Sequence, residues 1–267
     1  DSASVALDIP PVLSAHATKT AKPTTTQPAI AGRDVTFTVG GGNTSNVSVE
    51  SVVIADPSDV SGANAFDKLA LTGISTLTAP TGADRVPFSW YDGSTWHSGS
   101  AAAIPSDPSD LLSAVTGSGA SLADVLGVRF AFSKDGGTLP AGDPAQIVLT
   151  TTSRDGAFAS LAEGDSLVVV NKVAATVTRA GDSATDTAQA GVTFKMQSVH
   201  VDVTKAFADT SLVAGKQTSV TLQAATGVMP TSSITITEPA AGQPTLADHG
   251  LTFGAFVTDS NADAQLT

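Results

Sequence analysis

The sequence predicts an all-β protein of antiparallel β-sandwich modules arranged in tandem, with one or two short helices. Three observations support this. The chain of 267 residues is 41% apolar but only 5% aromatic and 14% charged, and its many Thr, Val and Gly residues are typical of strands and turns. Alternating apolar runs recur every ~8–15 residues, as in antiparallel sandwiches. The sequence also repeats itself.

The repeat has an offset of about 184 residues that drifts slightly, as loop deletions would make it drift. The matched segments, each with its second copy, are 1–3 with 186–188, 14–17 with 198–201, 30–33 with 213–216, and 53–57 with 235–239. The repeat predicts three domains. Residues 1–11 are the terminal strand of a preceding module, 12–197 are a complete sandwich unit (with an insertion or two subdomains), and 198–267 begin the next repeat. The last boundary is placed after Met196, where the alternating apolar positions shift by one residue. Such a slip moves side chains to the opposite face of a sheet, as is expected where a strand leaves one module and enters the next.

Period-two or β-branched runs predict the strands, the first in residues 1–11 and the others within the complete unit. They are 5–9, 35–39, 47–54, 69–72, 86–91, 95–97, 128–132, 147–152, 167–170, 173–177 and 192–196. The glycine run Gly40–Asn43 is predicted as a turn, and Asp92-Gly93 as a hairpin turn. Residues 108–115, with Pro and Asp near their start, and residues 121–126, with Ser121 as N-cap, are predicted as short helices.

Charge and composition exclude several function classes. The formal net charge is −12, so phosphate would be repelled and nucleic-acid binding is not expected. The sequence has no cysteine, which excludes disulfides and thiolate chemistry. No apolar run reaches the ~20 residues that a membrane span needs, and the chain starts at Asp1 rather than Met, as a mature protein or an excised fragment would.

The repeated segments resemble the immunoglobulin-like repeats of large bacterial cell-surface proteins, common in actinobacteria and other Gram-positive bacteria. The resemblance is carried by Asp-Val-Thr-Lys at 202–205, Val-Ala-Gly-Lys at 213–216, Val220-Thr221-Leu222 and the segment 234–239, together with their first copies. It implies immunoglobulin-like sandwiches, an extracellular location on the bacterial surface, and membership of stalks, adhesins, fibres or surface-layer proteins.

Related surface families also imply an isopeptide bond from a lysine on the opening strand, promoted by a buried carboxylate. Lys19, Lys22 and Lys205 lie where such a lysine would be. Asn171 and Asp186 are the candidate partners. The alternative interpretation is a solvated lysine, because buried unpaired lysine is rare.

Two binding sites are further hypotheses. Trp90, Tyr91 and Trp96 form an aromatic hairpin that could stack on a sugar ring or pack in the core. The second is a calcium loop, whose expected ligands are Asp259, Asn261 and Asp263. It lacks the glycine and the closing glutamate of such loops, so a solvated acidic turn is the alternative.

No spacing of Ser, His and acidic residues indicates a catalytic site. The sequence therefore predicts a non-enzymatic structural module, without a cofactor, that acts as a spacer or assembly unit of a stalk, fibre or surface layer. Its expected partners are neighbouring modules or identical subunits, joined end to end or by strand addition. The alternative function is an adhesin or carbohydrate-binding module that uses the aromatic hairpin to bind a host or cell-surface glycan.

Overall fold

A computed structural model describes residues 9–99 and 103–255, and it is mostly β-structure. The strands are β1 Ala15–Lys22, β2 Gln27–Pro28, β3 Asp34–Asn43, β4 Ser51–Asp56, β5 Leu69–Thr78, β6 Phe88–Tyr91, β7 Trp96–Ser98, β8 Gly127–Ser133, β9 Ala145–Ser153, β10 Ser166–Arg179, β11 Asp182–Lys195, β12 Val201–Phe207 and β13 Val220–Thr226. The chain divides into two compact units between Ser198 and Val199. The domain boundaries and the repeat read from the sequence stay predictions.

The first unit is a two-layer sandwich, as its strand pattern predicts. One sheet has four strands in the order β1-β3-β9-β5, and the other has seven in the order β2-β11-β10-β4-β8-β6-β7. The pairs are antiparallel except for the short parallel pair between β2 and β11. The predicted all-β antiparallel sandwich is thereby confirmed.

The core lies between the two sheets, because alternate residues of each strand point inward. In β3, Val35, Phe37 and Val39 are buried, and Ile54 of β4 and Phe130 of β8 face them from the other sheet. Full burial of a side chain of this size stabilises the fold by about 1.5–3 kcal/mol. A polar side chain that points inward is therefore surrounded by apolar side chains.

The helices are short, and three of the 3₁₀ helices begin with a side-chain cap. A 3₁₀ helix covers Ala65–Asp67, another covers Pro108–Leu112 and continues as the α-helix Ser113–Thr116, and further 3₁₀ helices cover Leu122–Asp124 and Ala247–His249. Ser121 accepts a hydrogen bond from the Ala123 backbone, so the predicted cap is confirmed. In the part of the chain that the structure describes, no helix is long and apolar enough to cross a membrane.

The prediction of a turn at Gly40–Asn43 is wrong, because these residues continue β3. A Cβ on Gly40 would lie 2.7 Å from the Ala145 carbonyl oxygen, and one on Gly41 would lie 2.5 Å from the Ala175 Cβ of the facing sheet. Backbones and side chains approach so closely here that only glycine fits. Gly40 therefore allows a close approach to β9 within its own sheet, and Gly41 allows the two sheets to come together.

Other strand limits differ in detail from the sequence prediction. Residues 47–50 form no strand apart from an isolated bridge between Val49 and Leu139, and the predicted strands 167–170 and 173–177 are one continuous strand, β10. The Asp92-Gly93 hairpin is confirmed, since Tyr91 pairs with Trp96 across it.

The second unit contains an antiparallel pair of strands. β12 pairs with β13 from Val201 opposite Thr226 to Phe207 opposite Val220. Most of its apolar side chains are exposed, among them Val203 at 61%. Within residues 199–255 this pair has no second sheet packed on it.

Candidate functional site

A buried lysine lies on the opening strand of the sandwich. In β1 the side chains alternate between outside and inside, and Ala17 and Lys19 are the inward pair. The Lys19 side chain is completely inaccessible to solvent, and its Nζ lies 5.0 Å from the centre of the Phe37 ring. A lysine in such an apolar position needs a specific partner.

The partner of Lys19 is Asp56, the last residue of β4 in the opposite sheet. The phase of β4 places Val52, Ile54 and Asp56 inward. The Asp56 side chain is also 0% exposed, and its Oδ2 lies 2.5 Å from Lys19 Nζ. An amine from one sheet and a carboxyl from the other thus meet in the core.

Asn171 brings a carboxamide to the same oxygen. On β10 the inward side chains are Val169, Asn171 and Val173, and Asn171 Nδ2 donates to Asp56 Oδ2 at 3.3 Å. Because Lys19 Nζ and Asn171 Nδ2 both contact this oxygen, they lie within about 6 Å of one another. We call Lys19, Asp56 and Asn171 the buried triad.

Two oxygens of the buried triad, Asp56 Oδ1 and Asn171 Oδ1, have no hydrogen-bond partner among the described residues. A buried polar atom without a partner is rare and needs a physical reason. Rotation of the Asn171 amide exchanges its nitrogen and oxygen positions, and a protonated Asp56 could then donate to the amide oxygen. In that orientation the acid would be hydrogen-bonded to the carboxamide oxygen.

The electrostatics of the buried triad favour uncharged groups. Burial lowers the pKa of Lys19, and the attraction of Asp56 only partly opposes this. Burial likewise raises the pKa of Asp56, against the opposing effects of Lys19 and of the Asn171 hydrogen bond. Both shifts move the proton from the amine toward the carboxyl, because a low-dielectric interior disfavours charge. A neutral amine is a nucleophile, and the carboxamide carbon beside it is an electrophile.

The structure separates the other predicted isopeptide residues from this cluster. Lys22 is exposed on the opposite face of β1, so its side chain does not point into the core where an isopeptide bond would form. Asp186 does not face Lys19. It accepts the Ala17 backbone N–H at 2.9 Å, a bond that lowers its pKa, with a smaller effect of His16. Lys205 belongs to the second unit and pairs with Glu238.

Sequence reasoning missed Asp56 as the partner of Lys19. The residue was visible as the acid in Ala55-Asp56-Pro57, which returns as Thr237-Glu238-Pro239. The available signal was the spacing of Asp56, which lies two positions after Ile54 and so places an acid at an inward-facing position of a β-strand. The convergence of β1, β4 and β10 could not be read from spacing alone.

The aromatic hairpin has one buried ring and two partly exposed rings. Trp90 is only 3% exposed and stacks on His97 with ring centroids 4.2 Å apart, so it is a core residue. Trp96 is half-buried, with the Arg129 guanidinium 4.1 Å from its ring centre, and Tyr91 lies 5.5 Å from it. Trp90 has no open face for a ligand, and glycan binding at this hairpin stays a prediction.

The predicted calcium ligands Asp259, Asn261 and Asp263 lie outside the described residues. Among the residues that the structure does describe, no group of three or more His, Asp or Glu side chains could hold a metal ion. The calcium loop therefore stays a prediction.

Comparison with known proteins finds distant structural likeness. No protein-family model matches the chain, and no curated protein matches it. Similar solved structures include ACE19, the collagen-binding subdomain of the Enterococcus faecalis surface protein ACE, at 14% identity over 70% of this chain and 99% of that one, with a TM-score of 0.29.

Two further solved structures come from bacterial pili and fimbriae. BcpA, the major pilin subunit of Bacillus cereus, is 10% identical over 80% of this chain and 56% of that one, with a TM-score of 0.33. AggA, the major subunit of aggregative adherence fimbriae type I from Escherichia coli, is 9% identical over 72% of this chain and all of that one, with a TM-score of 0.28. At these TM-scores the likenesses carry no argument about function.

Proposed function

We propose that this chain is a non-enzymatic structural module of a bacterial cell-surface stalk, fibre or surface layer, and that a covalent bond between Lys19 and Asn171 joins the two sheets of its sandwich. The observation that carries the proposal is the buried triad. Its amine, acid and carboxamide come from three strands and meet in the buried core.

The proposed reaction needs no reagent beyond the three side chains. The lone pair of neutral Lys19 Nζ attacks Asn171 Cγ while the protonated Asp56 polarises the amide oxygen. Asp56 then shuttles a proton from the attacking nitrogen to the departing one. The Cγ–Nδ2 bond breaks, ammonia leaves, and an Nζ–Cγ amide remains, with Asp56 unchanged.

A covalent lock of this kind suits a protein without cysteine. Exported proteins commonly gain stability from disulfides, and this sequence contains none. The Lys19–Asn171 bond would provide the same constraint without a redox step. The acidic surface, with a net charge of −12, favours solubility. In this role the partners are neighbouring modules or identical subunits.

Intact-mass spectrometry of the purified chain tests the bond. The expected mass is the theoretical value near 26.6 kDa less one ammonia, about 17 Da. A bond to Asp56 instead of Asn171 would release water, about 18 Da, which high-resolution measurement separates. Digestion should yield one branched peptide that contains Lys19 and Asn171. The full theoretical mass for the parent chain would contradict the proposal.

Matched variants locate the reaction. Lys19→Arg, Asn171→Ala and Asp56→Ala should each restore the full mass, since they remove the nucleophile, the electrophile and the acid. Lys22→Arg is the control, because this exposed lysine lies on the same strand and its replacement should leave the ammonia loss intact. A loss that persists in Lys19→Arg would mean that another lysine forms the bond.

The surface location has its own test. Brief protease treatment of intact source cells should release peptides of this chain into the medium, whereas a cytoplasmic marker protein should stay inside. Recovery of the chain only after lysis would contradict a surface location, even if the mass measurement shows the bond.

A further inference from the structure

One acidic side chain ties the free edge of β1 to the seven-stranded sheet. β1 is the edge strand of the four-stranded sheet and pairs only with β3. On its other side β1 lies beside β11, with which it shares no ladder. Here Ala17 donates its backbone N–H to Asp186 Oδ2 at 2.9 Å. The two residues are 169 positions apart, so this contact joins the first strand of the unit to its last.

Asp186 occupies a position where an apolar side chain is expected. Alternate side chains of β11 point inward, and the neighbours of Asp186 in that row, Ala184 and Ala188, pack against the core. A carboxylate in such a row costs free energy unless it accepts hydrogen bonds. The Ala17 N–H provides one and the Thr187 N–H another, and they lower the pKa of Asp186 in that order of effect, because hydrogen bonds to the charged form favour it.

An exposed salt bridge does not explain the acid. His16 Nδ1 lies 3.7 Å from Asp186 Oδ2, but the two side chains are 57% and 44% exposed, and exposed pairs of this kind contribute little. The effect of His16 on the pKa of Asp186 is also smaller than the effects of the two backbone hydrogen bonds. The largest effect on the carboxylate therefore comes from the backbone of β1.

The contact between Ala17 and Asp186 lies close to the buried triad along both strands. Ala17 and Lys19 are successive inward residues of β1, about 6.7 Å apart along the strand. Asp186 pairs with Ala175 in the β10–β11 ladder, and Asn171 is four residues from Ala175 on β10. From this contact, β1 leads to the amine of the buried triad and β10 leads to its carboxamide. A shift of β1 along its own axis would therefore move Lys19 relative to Asn171.

We infer that Asp186 is a positioning residue for the Lys19–Asn171 reaction, because its contact with Ala17 fixes the register of β1 against the β10–β11 hairpin. The inference rests on the proposed function, whose reacting groups are those of the buried triad. Asp186 acts through the backbone of β1 and takes no part in the proton transfer.

The need for such a residue follows from the geometry of the attack. The amine must lie within about 3–3.5 Å of the carboxamide carbon, and a misplacement of about 1 Å can slow a reaction of this kind on the order of 100-fold. β1 is paired along one side only. The Asp186 side chain supplies on the other side a restraint that a second neighbouring strand would give.

Time-resolved intact-mass spectrometry of the full chain tests the role of Asp186. Chain made by cell-free synthesis is sampled at intervals and quenched in acid, and the fraction that has lost about 17 Da gives the rate of bond formation. Asp186→Ala should slow this rate about 10- to 100-fold. Asp186→Asn should restore it to near the parent value, because the amide oxygen still accepts the Ala17 N–H. Gln189→Ala, at an exposed position of β11, is the control and should react at the parent rate.

A second measurement separates positioning from loss of folding. A chain that combines Asp186→Ala with Asn171→Ala cannot form the bond, so its denaturant curve gives the folded fraction without a cross-link. Most of this chain should be folded under the reaction conditions, which leaves the slower rate to the position of Lys19.

Three results would overturn the inference and leave the proposed function intact, provided that the parent chain loses ammonia. Asp186→Ala could react at the parent rate, its rate could fall only in proportion to the folded fraction, or Asp186→Asn could be as slow as Asp186→Ala. A parent chain that keeps its full mass removes both proposals.

Discussion

The Lys19–Asn171 bond would close a loop of about 150 residues, and loop size sets the stability that is lost when the bond cannot form. The chain-entropy treatment of a cross-link gives about 5 kcal/mol for such a loop. In a unit of roughly 200 residues, 1 kcal/mol shifts the thermal midpoint by about 2–4 °C. The Asn171→Ala variant should therefore unfold about 10–20 °C below the parent chain.

The control for this variant is a second buried asparagine. Asn43 is 4% exposed and makes hydrogen bonds to the backbones of Val47, Leu139 and Ser45, none of which involves a lysine. Asn43→Ala should cost only about 1–3 kcal/mol, as for unpaired buried polar groups. The assay is calorimetry of parent and variants, with the mass of each sample measured first. A midpoint for Asn171→Ala no lower than that for Asn43→Ala would refute the reasoning.

Three other predictions follow from the same structure. Gly41→Ala should destabilise the sandwich by about 1–3 kcal/mol through overpacking, which a lower denaturant midpoint would show. Gly62→Ala is the control and should change the midpoint little, because nothing lies within 4 Å of the added Cβ. Equal effects of the two substitutions would contradict the close approach of the sheets. The pKa of Asp92 is lowered by a histidine hydrogen bond first and by backbone amides next, so its carboxylate stabilises the fold above the ordinary pKa of ~4 and this contribution disappears as the pH falls. The gap between the denaturant midpoints of parent and Asp92→Asn should narrow as the pH falls from about 5 to 2, and a constant gap would count against this assignment. Trp90→Ala should cost about 3–5 kcal/mol and Trp96→Ala clearly less in the same unfolding assay, and the reverse order would mean that Trp96 is the core residue.

The strand pattern was predictable because period two is a local property of the sequence. The runs around Phe37, Phe130 and Ile147 all lie in strands. The glycine run was misread because glycine favours turns when its neighbours are unknown. Only the position of Ala175 in the facing sheet shows why Gly41 must lack a side chain.

The candidate site was predictable only in part. The position of Lys19 on the opening strand was predictable from the sequence. Asn171 was also named as a candidate partner, but no spacing in the sequence supported that choice. Asp56, which joins them, is distant from both along the chain, so its place depends on the strand order of the seven-stranded sheet. Which lysine points inward also depends on the phase of β1, and this phase separates Lys19 from Lys22.

The position of the buried triad along the chain has a mechanical consequence. Lys19 is on the first strand and Asn171 is on the last long hairpin of the unit. If a bond joins them, tension applied at the two ends of the unit passes directly from β1 to β10. The residues between them would carry none of that tension, and only the short stretches outside the loop could lengthen. A filament of such units would stay nearly inextensible under a pull that unravels an unbonded sandwich.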